Sequence, residues 1–206
     1  MESQCSDLSP QISEVKKQFT NVYESLAQFT SSLDQEGIDM LNDLKSISKK
    51  ITDAGKLASA YHLSRLLVPY TNKCHEIFNS VRQLSTKRKG ALIVVQREDP
   101  IDDWITKGTP IFAEISSSLL DSIFHVGSPL HDGAVWIQND IIVSAANILP
   151  LTKKTYKNKK LGTRHRAAIG LSELTDALVF VVSEETGKES FSFNGSLYPF
   201  QMIIQK

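Results

Sequence analysis

Residues 177–183 read ALVFVVS, apolar at every position but the last. A strand with one wet face alternates apolar and polar residues; a strand that is apolar throughout is covered on both faces. The run is short and β-branched, as suits a pleated, buried surface. A second run of the same kind, ALIVV, fills 91–95 directly after Gly90. Around these two the pattern alternates between helical and extended spacing. Strands are expected at 110–115, 135–137, 141–149, 189–193 and 199–204, with a hairpin turn at Asn139-Asp140. A helix is expected at 116–124, with Leu119, Leu120 and Ile123 facing in, and another from about Arg164 to Leu174. Such alternation predicts an α/β domain with a mixed central β-sheet flanked by helices.

An α-helical hairpin is expected ahead of that domain. Leu8, Ile12, Val15, Phe19, Val22, Leu26, Phe29 and Leu33 recur with gaps of four and three in strict alternation, the a/d seam of a heptad. Ser9-Pro10 can open this helix and Gly37 can close it. A second helix carries Ile38, Leu41, Leu44, Ile47, Ile51, Ala54, Ala58 and Tyr61 on one side, with Gly55 as a weak point. A short link between two helices makes an antiparallel hairpin, serving either as plain packing or as an oligomerising, regulatory device. The expected division is a hairpin at 1–62 and a second domain at 63–206. Pro69 marks a boundary, and Tyr70, Cys74, Ile77, Phe78, Val81 and Leu84 then predict a third helix.

Composition narrows the function. The 206 residues hold 23 basic and 23 acidic side chains, a balance that argues against a general nucleic-acid or membrane-surface binder. Cys5 and Cys74 form no CxxC or Cys/His cluster and read as free thiols of a reducing cytoplasm. No apolar run approaches the ~20 residues of a membrane span. The opening MESQCSDLSP lacks the basic and apolar regions of a secretion signal, so a cytoplasmic location is expected. There is no G-x-x-x-x-G-K-[ST] loop and no HExxH.

The chemistry concentrates in residues 162–173, GTRHRAAIGLSE. Arg164 and Arg166 flank His165, and Gly162 with Thr163 makes a turn and N-cap pair for a helix starting there. Unpaired N–H groups at a helix start beside two arginines form an anion site, for which phosphate is the natural occupant. Ala167, Ala168 and Gly170 are small enough for close backbone approach. The basic stretch KKTYKNKK at 153–160 reads either as a solvated loop or as one that steers an anion inward.

Two further stretches, PLHDGA at 129–134 and VSEETG at 182–187, complete a pattern. Together with the RHR stretch they resemble the diadenylate cyclase family, which condenses two ATP into cyclic di-AMP and two pyrophosphates. The resemblance runs from about Gly90 to Gly187 and is nearest to the soluble, sporulation-type members that carry a helical pair. It implies that Asp132, Gly133, Arg164, His165 and Arg166 are catalytic. It places ATP against Gly133, Ala134, Leu149, Gly162, Thr163, Arg164, Arg166, Ser183 and Glu184, with Leu149 covering the adenine. Asp132 is a hard oxygen ligand for Mg²⁺ or Mn²⁺, and His131 and Glu185 are candidates to complete that site. Each ATP must attack the other, so two protomers are expected face to face in an even-numbered homo-oligomer such as a hexamer. The hairpin is expected to restrain activity. The alternative is a catalytically silent nucleotide-binding sensor whose hairpin recruits a partner.

Overall fold

The computed structural model describes residues 9–33, 39–154 and 161–200. The chain falls into two compact units, one of residues 63–199 and one built on the helices through His62. The division lies inside a single helix.

In the N-terminal unit, α1 (Ser9–Ser32) and α2 (Met40–Leu67) form a hairpin-like pair, with the Lys50 ammonium donating to Ser25 Oγ at 2.8 Å. The expected stop at Gly37 and the seam positions Leu8 and Ile38 lie outside the described residues. Gly55 does not interrupt α2, which runs beyond Tyr61 to Leu67. Of the α1 seam, Val15 and Val22 are buried, whereas Phe19, Leu26 and Leu33 keep over 40% of their surface exposed (47%, 41% and 43%). The heptad pattern is therefore wider than the burial it achieves within one chain.

The larger unit is a seven-stranded mixed sheet in the order β2-β4-β3-β1-β5-β6-β7. Its members are β1 (Ala91–Val95), β2 (Thr109–Glu114), β3 (Ala134–Gln138), β4 (Ile141–Asn147), β5 (Leu178–Val182), β6 (Glu189–Phe193) and β7 (Ser196–Pro199). Among the described strands only β1 and β3 pair parallel. The two apolar runs are neighbours, antiparallel with Ala91 opposite Val182, and every residue of both strands is buried. Leu92, Val94, Val179 and Val181 pack with Ala167, Ala168 and Leu171 of α5 (Thr163–Ser172). Side chains alternate along a strand, so Phe180 points to the other face, where it meets Phe78 of α3 (Cys74–Thr86) edge-on at 6.2 Å. α4 (Ser117–Ile123) docks on α3 by its own cap: Ser116 Oγ accepts from Leu119 N, and Glu76 accepts from Ser117 N at 2.7 Å. Helices thus cover both faces of the two central strands, as continuous apolar runs require.

One end of the sheet adds to expectation. β7, at Ser196–Pro199, is a strand that was not expected, and of the strand expected at 199–204, residues 201–204 lie outside the described residues. Asn194 and Gly195 both take positive φ (47° and 69°), so they form the tight type I′ link between β6 and β7. The Asn-Gly pair carried that signal. At the β3–β4 turn Asn139 is left-handed, as expected, and Asp140 accepts from Thr71 Oγ1, Asn72 N and Asn72 Nδ2. Burial pushes the Asp140 carboxyl up, but these hydrogen bonds outweigh it and hold the group below the usual carboxylate range.

Glu189, at the start of β6, behaves in the opposite way. Burial raises its carboxyl above the usual range, against the pull of Ser85 and Arg82. A raised carboxyl pKa means that the folded state holds the proton more tightly than the unfolded chain. The stability this contributes is full below about pH 4.3 and is lost as pH rises through the folded value. Glu189→Gln removes the buried charge. Its melting temperature should equal the wild type's near pH 4 and exceed it by a few degrees at pH 7.5. Thermal melts across that range would check this, and a variant less stable at neutral pH would contradict it.

Candidate active site

The topology itself collects the site. β3 follows Asp132-Gly133, β1 follows Gly90, and the antiparallel β5 ends immediately before Ser183. Since β3, β1 and β5 are adjacent, all three loops leave the sheet at one end. Two strand spacings separate the outer pair by roughly 10 Å. The first turn of α5 reaches the same end, where Arg164 Nη1 contacts Glu184 Oε2 at 2.9 Å.

Gly133 is needed for its backbone. Its φ is +115°, and a Cβ there would lie 2.8 Å from Ala146 C and 2.8 Å from Asn147 O. The turn is seated on β4 by the buried Asn147. Asn147 Nδ2 donates to Ala134 O at 2.8 Å, while Asn147 Oδ1 accepts from Gly108 N at 2.9 Å and from Ser144 Oγ at 2.8 Å. Ala146 takes a left-handed φ of 58° to pass beneath. Asn147 was not a sequence candidate; an Asn inside a strand otherwise too apolar to need one is the signal that marks it. Asp132 projects from this seat into solvent, and among the described residues neither carboxylate oxygen has a hydrogen-bond or ion-pair partner. The adjacent His131 is half-buried and its Nδ1 pairs with Ser128 O, which leaves Nε2 as its open nitrogen.

The helix start differs in detail from expectation. Gly162, not Thr163, is the N-cap, and no side chain caps the turn. Thr163 is instead the first helical residue. The N–H groups of the first turn therefore lack a side-chain acceptor, the arrangement that favours an anion. The two arginines leave the helix in different directions, as residues two apart must. Arg164 turns to Gly90 and Glu184, whereas Arg166 Nη2 donates to Thr152 O at 3.3 Å. Between them the His165 imidazole is half-buried. Burial holds its pKa below the usual value, with nearby Glu185 opposing, so the ring is neutral at pH 7.

Segment 149–152 joins the two halves of the site. Leu149 is buried in the core cluster with Trp136 and Ala167. Pro150 runs so close to α5 that a Cβ on Gly170 would meet its carbonyl oxygen at 2.1 Å. Only glycine fits there, which accounts for Gly170. Beyond it, Lys154 pairs with Glu173 at 3.0 Å, and the rest of the basic stretch, 155–160, lies outside the described residues. The half-buried Ser183 shapes its own turn: its Oγ accepts from Thr186 N and its carbonyl from Gly187 N. Its hydroxyl hydrogen is still free to donate. Glu184 and Glu185 are exposed.

Among the described residues no three His, Cys, Asp or Glu side chains gather into a metal cage. His131, Asp132 and Glu185 are thus not assembled as a ligand set. The unpartnered Asp132 carboxylate nonetheless fits a hard cation that keeps most of its shell in water and substrate phosphates, as Mg²⁺ commonly does.

A family comparison decides what these loops belong to. The DAC family, described as DisA bacterial checkpoint controller nucleotide-binding, matches residues 78–197, from within α3 to β7. The chain belongs to the DAC family. The DAC match is longer than the 90–187 span of the sequence resemblance and takes in most of α3, which covers the far face of the sheet. Relatives extend beyond the domain. A Bacillus thuringiensis protein named diadenylate cyclase CdaS is 44% identical over 196 residues, covering 95% of this chain and 98% of its own. The Bacillus subtilis cyclic di-AMP synthase CdaS is 49% identical over 160 residues, 78% of this chain and 77% of its own. Among solved structures, a Bacillus cereus protein described as a hypothetical membrane spanning protein superposes with a TM-score of 0.84 at 42% identity, covering 95% of this chain and 96% of that one. DacA from Staphylococcus aureus gives 0.59 at 42% identity over 62% of this chain and 85% of its own. No helix among the described residues here is long and apolar enough to cross a membrane.

Proposed function

We propose that this protein is a cytoplasmic, sporulation-type diadenylate cyclase that condenses two ATP into cyclic di-AMP and two pyrophosphates. The observation that carries this reading is the meeting of three loops at one end of β3, β1 and β5. Those loops bear Asp132, Gly90 and Ser183, and the first turn of α5 brings Arg164 to the same end, on a chain whose relatives carry the cyclase name.

In the reaction, the 3′-hydroxyl oxygen of each ATP attacks the α-phosphorus of the other. The P–O bond to pyrophosphate breaks and the hydroxyl proton leaves. Arg164 and Arg166 hold the triphosphate from two sides at the start of α5, where the first-turn N–H groups add to the field. Ser183 donates its hydroxyl to a phosphate oxygen. The neutral His165 contributes a hydrogen bond without adding charge. Gly133 lets ribose and phosphate reach the backbone beside Asp132, and the carboxylate stands ready to hold a cation and to receive the attacking hydroxyl's hydrogen bond. Asp132 would hold a divalent cation, Mg²⁺ or Mn²⁺, with His131 or Glu185 as a further donor, and the bound ion would supply neutralisation of phosphate charge. Leu149 and its neighbours supply the apolar wall against adenine. One such site holds one ATP, so catalysis needs two protomers face to face and an even-numbered assembly such as a hexamer. The full-length protein incubated with ATP and either Mn²⁺ or Mg²⁺ should yield cyclic di-AMP by mass spectrometry; ATP binding without product under both metals would leave only a silent sensor.

The hairpin acts on that pairing. Phe19, Leu26, Leu33, Leu41, Leu44 and Ile51 expose 41–79% of their surface in a single chain, far more apolar surface than a tether needs. An assembly joined through them holds the nucleotide faces out of register and so restrains activity. Leu26→Asp in the full chain should change the mass seen by light scattering and raise activity per protomer several-fold. Unchanged mass with unchanged activity would reduce the hairpin to a passive cap.

A further inference from the structure

The head group of Arg164 rests against a glycine. A Cβ on Gly90 would lie 2.5 Å from Arg164 Nη1, 2.9 Å from Arg164 Cζ and 3.0 Å from Glu184 Cβ. Gly90 is not in the left-handed region, so its backbone does not call for glycine. Its missing side chain is instead the space the guanidinium occupies. On the other side Glu184 Oε2 accepts from Nη1 at 2.9 Å. The head is therefore seated between the backbone leading into β1 and a carboxylate on the turn after β5.

Stability does not explain this arrangement. The Glu184 side chain is 60% exposed, and ion pairs of that kind contribute about 0–1 kcal/mol. Nor does substrate binding, since a carboxylate beside an incoming triphosphate opposes it. Orientation does explain it. An arginine stem carries roughly 2 kcal/mol of rotamer entropy. Fixing it before ATP arrives removes that loss from the reaction, and the guanidinium keeps four of its five N–H donors for phosphate.

We infer that Gly90 and Glu184 are positioning residues of the cyclase reaction, which together set the Arg164 guanidinium in the place where it meets the transferring phosphate. This rests on the assignment of Arg164 to phosphate made above. The consequence is a split between binding and turnover. Disturbing the seat misaims Arg164 and lowers kcat, while loss of the Glu184 charge leaves KM for ATP unchanged or lower.

A double-mutant cycle in the full-length protein tests this. Gly90→Ala should lower kcat by about 10–100-fold, the scale of a misplacement near 1 Å. Its melting temperature should stay within about 2 °C of wild type, because the two atoms closer than 3.0 Å are the end of the flexible Arg164 side chain, and Glu184 Cβ, at 3.0 Å, lies on an exposed turn residue. Glu184→Gln should lower kcat by roughly 3–10-fold with KM unchanged or reduced. In an Arg164→Lys background, which lacks the planar head, both substitutions should change kcat by less than about 2-fold. The proposal is overturned if either keeps its full effect in that background, for then Glu184 or Gly90 acts directly on substrate or metal. It is equally overturned if Gly90→Ala folds and turns over like wild type. Should Gly90→Ala fail to fold, the exposed Glu184→Gln arm decides alone. Wild-type kinetics and ATP affinity in Arg164→Lys itself would overturn the phosphate assignment as well; a defective Arg164→Lys with additive partners would overturn only the seat.

Discussion

Asp132→Asn should fold normally and lose at least ~100-fold in turnover, the usual scale for removing a key electrostatic group from an active site. The folding half of this expectation comes from exposure. Asp132 has no partner among the described residues, so the amide strands no neighbour and the Gly133 seat on Ala146 and Asn147 is untouched. The catalytic half comes from charge. An amide keeps the shape but is a poor ligand for a hard cation and cannot receive a proton. Binding of ATP should fall much less than turnover, because the arginines lie on a different element, the first turn of α5. A folded Asp132→Asn variant with near-normal production of cyclic di-AMP would remove Asp132 from the chemistry.

The sequence was most legible where one physical demand dominates. Runs 91–95 and 177–183 read as buried strands, and the strands they hold are adjacent in the centre of the sheet with helices on either side. Gly170 announced a close approach, and Pro150 makes it. The same logic failed where side chains choose between partners. Thr163 reads as a cap by residue type, yet Gly162 holds that position and Thr163 has turned into the helix. The α1 heptad seam reads as buried, but burial depends on what faces it, and a single chain leaves Phe19 and Leu26 largely open. Asn147 and Gly90 carried no recognisable motif. Their roles depend on atoms distant in sequence: Ala134 and Gly108 for Asn147, Arg164 and Glu184 for Gly90. Such residues become visible only once the strands are in register.

The arginines offer the largest expected effect on binding. Arg164→Ala with Arg166→Ala removes two charge-assisted donors from the start of α5. Hydrogen bonds to charged groups contribute about 1.5–3 kcal/mol each. The double variant should therefore bind ATP on the order of 100-fold more weakly or worse by calorimetry. Each single replacement should take roughly half of that in free energy, since the two side chains leave the helix in different directions and have different protein partners, Glu184 and Thr152. Stability is a usable control. Losing Arg164 frees only an exposed Glu184, and losing Arg166 frees the Thr152 carbonyl, which still has its place in the segment bonded to α5 through Thr152 N and Arg166 O. Lysine should restore part of the affinity, because it returns the charge, but little of the turnover, because it lacks the planar fork that meets two phosphate oxygens at once. The position of the defect matters as much as its size. If phosphate binds at the helix start, added pyrophosphate should compete with ATP in the wild type and lose that ability in the double variant. Unchanged ATP affinity in a folded double variant would mean that the N-terminus of α5 is not where the triphosphate sits.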